Sequence, residues 1–218
     1  MLNTRQLIFL PFLLAATLSF GQSQSKKQKR DSLAAVNFSI VSMFLSLSPT
    51  DDIADIGTGG GYTLIPIANS CPECKFDVED IDSSSFNPKT LAGRINNTGN
   101  KTKIENFIFY FGTEKTTNLP SAKFNKVLIF DVIHEMTYKT EMLNDIKRIL
   151  QINGSIFIRE ILVHKPEKKG RGCNYPFLTE LEFKKLMTDN NIFIKRESIT
   201  LSSGSNTYSK IFECISLH

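Results

Sequence analysis

Apolar positions along this chain follow two rhythms, short grouped runs and longer stretches at helical spacing, and the two alternate. Residues 31–47 carry apolar side chains at 33, 36, 40, 41, 44, 45 and 47, which predicts an amphipathic helix capped by Asp31 or Ser32 and ended by Ser48, Pro49 and Thr50. Residues 51–56 group their apolar side chains as a short buried strand does, and a helix is expected over 62–69. A second strand over 75–80 leads through Asp82 and three serines to a helix ending near residue 95. Strands are expected over 103–111 and 124–130, the latter apolar throughout except at Asn125 and Lys126, as a central parallel strand should be. A helix over 139–150, a stop at Asn153 and Gly154, and a strand over 155–160 follow. Thr179 caps a helix reaching residue 189 or 190, and strands over 192–201 and 208–217 flank a Ser, Gly and Asn turn. Strands alternating with helices and closing on a hairpin imply an α/β fold, a doubly wound sheet of about seven strands with a terminal antiparallel strand.

Length and charge narrow the picture. The 218 residues suffice for one domain with a sizeable core, and a net charge of +4 spread over scattered basic residues gives no nucleic-acid footprint. The one basic cluster, Lys26, Lys27, Lys29 and Arg30, reads as a solvated linker. Ahead of it, Arg5, an apolar run over 7–20 and the small residues Ser19 and Gly21 form a secretory signal pattern, too short to span a bilayer comfortably, which takes about 20 residues. The expected organisation is therefore a signal peptide over 1–21, a basic polar linker over 22–30 and a domain over 31–218. The protein is expected to be exported, with no transmembrane segment after cleavage; the alternative is membrane anchoring through an uncleaved N-terminus. Export would place Cys71, Cys74, Cys173 and Cys214 where disulfides persist, and four cysteines allow three pairings. Cys71 and Cys74 form a C-x-x-C before the second strand, a position that suits a structural pair better than redox chemistry, and a zinc ribbon would need a second such pair.

The strongest chemical signal is Asp55-Ile56-Gly57-Thr58-Gly59-Gly60-Gly61, four glycines directly behind a buried strand and ahead of a helix. Glycine lets backbone approach a ligand closely, and the helix start offers free N–H groups. The dinucleotide spacing G-x-G-x-x-G would need glycine at 62, where Tyr62 stands. A carboxylate at Asp55 suits a cationic ammonium group and would repel a pyrophosphate.

The pattern D-x-G-x-G-x-G resembles the first motif of class I S-adenosylmethionine-dependent methyltransferases, and Asp80-Ile81-Asp82 before serines is similar to that family's acidic segment at the second strand end. With Ile133-His134-Glu135 after the fourth strand, the resemblance is strongest to type 11/25 methyltransferases predicted to be secreted or membrane-associated, and covers roughly residues 33–215. It implies a Rossmann-like seven-stranded sheet and S-adenosyl-L-methionine as cofactor, held by Asp55, Gly57, Thr58, Gly59, Gly61, Asp80, Ile81, Thr113 and Asp131, with no metal. Asp80 is the expected ribose ligand, Glu79 and Asp82 being alternatives. Thr113 stands where the family often has an acid that reads adenine, a contact that Glu114 could take instead.

Such an enzyme needs a base only if its acceptor must lose a proton, and His134, at the ligand edge with a side chain that titrates near neutrality, is the candidate. The absence of an Asn/Asp-Pro-Pro-Tyr segment argues against nucleobase amino groups and leaves a small-molecule acceptor. The alternative is a non-catalytic nucleoside- or S-adenosylmethionine-binding module of the cell envelope, since the cofactor is a cytoplasmic metabolite.

Overall fold

The computed structural model describes residues 37–97, 101–166, 174–200 and 206–216. The chain divides into two units, Met1–Ser39 and Ile40–His218, and the sheet and its helices belong to the second. The expected signal peptide, the linker and residues 31–36 lie outside the described residues, as do residues 167–173, Cys173 among them.

Among the described residues eight strands form one mixed sheet: β1 (Asp52–Ile56), β2 (Lys75–Asp80), β3 (Phe107–Phe111), β4 (Phe124–Phe130), β5 (Leu150–Val163), β6 (Leu178–Thr179), β7 (Ile192–Thr200) and β8 (Thr207–Ser216). Their order is β3-β2-β1-β4-β5-β8-β7, with β6 paired to β5 beside this path. The first five strands along that order run parallel, and β8 lies antiparallel between β5 and β7. The order reverses between β1 and β4, which opens a crevice at their C-terminal ends, the place where sheets of this kind bind ligands.

Register assigns each strand residue a face. Ala54 and Ile56 of β1 sit beside Val127 and Ile129 of β4, and these join Ile156 and Ile158 of β5 in a core closed by α4 (Lys139–Ile149) and α5 (Glu180–Asp189). The opposite face carries Ile53, Phe76, Val78 and Leu128, all buried, on the same side of the sheet as Asp55. Two further helices, α2 (Leu64–Ala68) and α3 (Pro88–Asn97), contribute buried Leu64, Ile65, Ile67 and Leu91. In the second unit, Val41, Phe44 and Leu45 of α1 (residues 37–45) are buried, with Phe44 edge-on to Phe157 and its carbonyl accepting from Arg196 Nη2.

Three element boundaries differ from the sequence pattern. The helix expected over 62–69 keeps only five residues, Tyr62 and Thr63 belonging to the turn although Ile65 N already donates to Gly61 O across them at 3.1 Å. The expected strand over 103–111 begins as a 3-10 turn, Ile104–Asn106. Asn153 and Gly154 do not stop an element: β5 runs unbroken for 14 residues, with Asn153 at φ 66° and a register shift opposite Phe124 and Lys126 absorbing the irregularity as a bulge. The eighth strand, β6, is only two residues and carries no alternation that a sequence pattern could reveal.

Cys71 and Cys74 are joined by a disulfide with Cα atoms 5.3 Å apart, immediately before β2, and Cys214 is a buried free thiol.

Candidate functional site

The glycine turn leaves β1 with Gly57, Gly59 and Gly61 all at positive φ, 70°, 52° and 74°. A Cβ on Gly57 would come within 2.6 Å of the Val132 side chain, so that glycine is demanded by the neighbouring β4 loop. Gly59 differs. The atom nearest to its would-be Cβ is Asp80 Oδ2 at 4.0 Å, so there glycine leaves open room above the turn.

The acids of the turn are fixed by short hydrogen bonds. Asp55 is buried, and its Oδ2 accepts from Thr58 Oγ1 at 2.7 Å. Burial pushes its carboxyl up to about 7, opposed by the Thr58 bond and helped by the charge of Asp80. Asp80 ends β2 with Oδ2 accepting from Gly59 N at 2.7 Å and Oδ1 from Asp82 N at 2.8 Å. Each oxygen thereby takes one backbone donor and keeps a second lone pair for a ligand. Thr58 N donates to Glu79 O at 2.9 Å, which ties the turn to β2.

A cavity of about 170 Å³ opens beside this turn, and of the thirteen described residues lining it four are acidic, Glu79, Asp80, Glu114 and Glu135, and none is Lys or Arg. Ile56, Gly57, Ile81 and Thr113 line it as well, together with Val132, Met136, Thr137, Met142 and Tyr175. Glu79 sits between Ile56 and Tyr110 in the register, a core position, and is 2% exposed. Its Oε1 finds no hydrogen-bond partner, while the Gly57 backbone bonds the carboxylate. Burial, with the charge of Asp80, pushes this group up to about 8.

His134 follows β4 on the cavity side of the sheet, yet its ring turns inward. It is 4% exposed, packs edge-on against Phe177 at 4.8 Å, and does not line the cavity. Its Nδ1 lies 2.6 Å from Oε1 of Glu160, a fully buried acid of β5, and its Nε2 lies 3.7 Å from Oε1 of Glu135 at the cavity wall. Burial works against charge on the ring, but the Glu160 hydrogen bond and the Glu160, Glu135 and Asp131 charges outweigh it, and the His134 pKa is raised.

The structure thus brings Gly57, Asp80, Ile81 and Thr113 to the cavity wall and Asp55, Thr58, Gly59 and Gly61 to the turn beside it. Thr113 closes a local turn there, its Oγ1 accepting from Lys115 N and Thr116 N. Asp131, at φ 60°, instead pairs with Arg159. Sequence reasoning missed Glu160, and it named Glu135 only as the neighbour of His134. The signal for Glu160 was an acid inside the apolar run 156–163, a place a strand tolerates only when the charge has a partner.

No protein-family profile matches the chain, and no curated protein matches it. Solved structures do. A SAM-dependent methyltransferase from Aquifex aeolicus is similar over 88% of this chain and 98% of its own, with a TM-score of 0.62 at 18% identity. A SAM-dependent methyltransferase of Leishmania major matches with a TM-score of 0.66 at 12% identity, over 85% of this chain and 74% of that one. The geranyl diphosphate C-methyltransferase of Streptomyces coelicolor, solved with magnesium, geranyl diphosphate and S-adenosylhomocysteine, covers 82% of this chain and 79% of its own, with a TM-score of 0.61 at 11% identity. At such identities the likeness establishes the Rossmann-like methyltransferase fold.

Proposed function

We propose that this protein transfers a methyl group from S-adenosylmethionine to a small-molecule acceptor. The observation that carries the reading is the junction of the glycine turn with Asp80: Gly59 leaves open room, its N–H orients the carboxylate, and both acid oxygens keep lone pairs facing the crevice. These residues fit the cofactor. Asp80 would accept from ribose hydroxyls, Asp55 and the turn would hold the ammonium end, and Ile81 and Thr113 would bound the nucleoside. When bound, the cofactor supplies an activated methyl on a sulfonium.

The chain's own contribution is position and proton handling. Val132, Met136 and Met142 line the cavity with apolar side chains that would exclude water and align an acceptor. Glu135 stands at that wall and would receive an acceptor proton at Oε1, with His134 Nε2 behind it at 3.7 Å. Glu160 holds the opposite ring nitrogen, so His134 is a positioning residue for Glu135.

Titration calorimetry with S-adenosylmethionine tests the cofactor, and a host lysate supplied with methyl-labelled cofactor tests transfer. Binding and a labelled product are expected, and Gly59→Leu should abolish both by filling the open room while leaving a cooperative thermal transition. Absence of heat at millimolar ligand would sink the cofactor assignment; binding without product would reduce the protein to a binding module.

A further inference from the structure

Among the described residues the lining of the cavity is one-sided in charge, on a chain whose net charge is +4. Four carboxyls line the space, Asp55 acts electrostatically on Glu79 from the turn beside it, and the described cations nearby are engaged elsewhere. Arg94 Nε donates to Gly60 O and its guanidinium stacks on Tyr62, Arg159 pairs with Asp131, Lys115 lies over the Tyr138 ring at 4.2 Å, and Lys139 donates to Met136 O. Glu79 is the unusual member. It occupies a strand position flanked by Ile56 and Tyr110 where an apolar side chain would pack without penalty, and its Oε1 is left without a partner. A buried carboxyl so placed costs stability unless a proton or a cationic ligand compensates it. The charged groups that act on it most are Asp80 on its own strand, Asp55 on β1 and Asp145 on α4, every one an acid. Asp145 is tied to Thr117 and Arg148, and so offers Glu79 no hydrogen bond in return.

We propose that the acidic wall formed by Glu79, Asp80, Glu114 and Glu135 selects a positively charged ligand, so that the site holds a sulfonium cofactor in preference to its uncharged thioether product and exchanges the proton of Glu79 for the ligand's charge. This rests on the cofactor reading above and adds to it a discrimination between two ligands that differ by one methyl group and one unit of charge. Methyl transfer removes that charge. The product then loses its hold on the wall and Glu79 takes a proton back from solvent, which favours exchange of product for fresh cofactor.

The probes are S-adenosylmethionine and S-adenosylhomocysteine, titrated calorimetrically into the full chain at pH 6, 7.5 and 9. Each titration is repeated in phosphate and in Tris, so that the difference in heat counts protons released. The ratio of the two dissociation constants should move about tenfold in favour of the sulfonium between pH 6 and 9, the effect of one added unit of charge in the wall. Proton release at pH 7.5 should accompany the sulfonium more than the thioether. Glu79→Gln, nearly isosteric, should remove the pH dependence of the ratio, and Glu114→Gln, on an exposed loop, should lower the ratio at every pH. A ratio that is flat with pH in the unmodified protein, or one that Glu79→Gln leaves unchanged, overturns the proposal. Binding of neither ligand at any pH overturns the cofactor reading itself, and the wall argument falls with it.

Discussion

His134 and Glu160 show how far single residues can be read in a linear pattern. The histidine's place after β4 was visible, because an apolar run delivers its C-terminal residues to the ligand edge. Its orientation was not, since the group that turns the ring inward lies 26 residues later on the adjacent strand. Only the parallel pairing of β4 with β5 brings the two together. Glu79 is a similar case: the pattern offered it as one of three acids at a strand end, and only the register with Ile56 and Tyr110 marks it as a core position. Because Glu160 holds the His134 pKa above its ordinary value, the pair contributes stability that is full below the unfolded histidine value, about 6.5, and is lost as pH rises through the folded value. Glu160→Gln should therefore bring the His134 titration to lower pH and cost about 2 kcal/mol at pH 6. The chain has three histidines, so imidazole nitrogen shifts in an NMR titration can follow His134 directly, and an unmoved titration would contradict the pairing.

Among elements, β4 was legible almost to the residue because its second half is buried and apolar without interruption, and β2 was equally legible although buried Asp77 and Glu79 interrupt its apolar side chains. Helix ends were legible where side chains make the cap. Thr179 Oγ1 accepts from Glu182 N while the Glu182 carboxylate accepts from Thr179 N at 2.8 Å, a full capping box that starts α5 at the expected place. Thr179→Ala should cost about 1 kcal/mol, read as a lower urea midpoint with an unchanged slope. By contrast α2 has no side-chain cap at Thr63, and its start follows from the glycine turn and from Arg94 stacked on Tyr62, a contact between distant segments. The continuity of β5 was hidden because Asn153 and Gly154 are the residues that end helices as readily as they form bulges.

For the whole molecule, the α/β class, the parallel centre and the closing antiparallel hairpin followed from alternation, whereas the order of the strands did not, and the signal peptide expected over residues 1–21 falls outside the described residues. Among the described residues no helix is long and apolar enough to cross a membrane. Export remains our proposal, and mass spectrometry of protein from the native host tests it: a Gln22 start is expected together with a bridged Cys71–Cys74, whereas an intact Met1 with free thiols would place the domain on the cytoplasmic side. The position of that bridge gives the outcome a wider meaning. Cys74 immediately precedes β2 and Asp80 ends it, so six steps of extended chain hold the bridge and the ligand edge about 20 Å apart. Oxidation state and ligand chemistry are thus insulated from one another, and a lineage could move this protein between reducing and oxidising milieus by gaining or losing a leader, without rewriting a residue of the crevice.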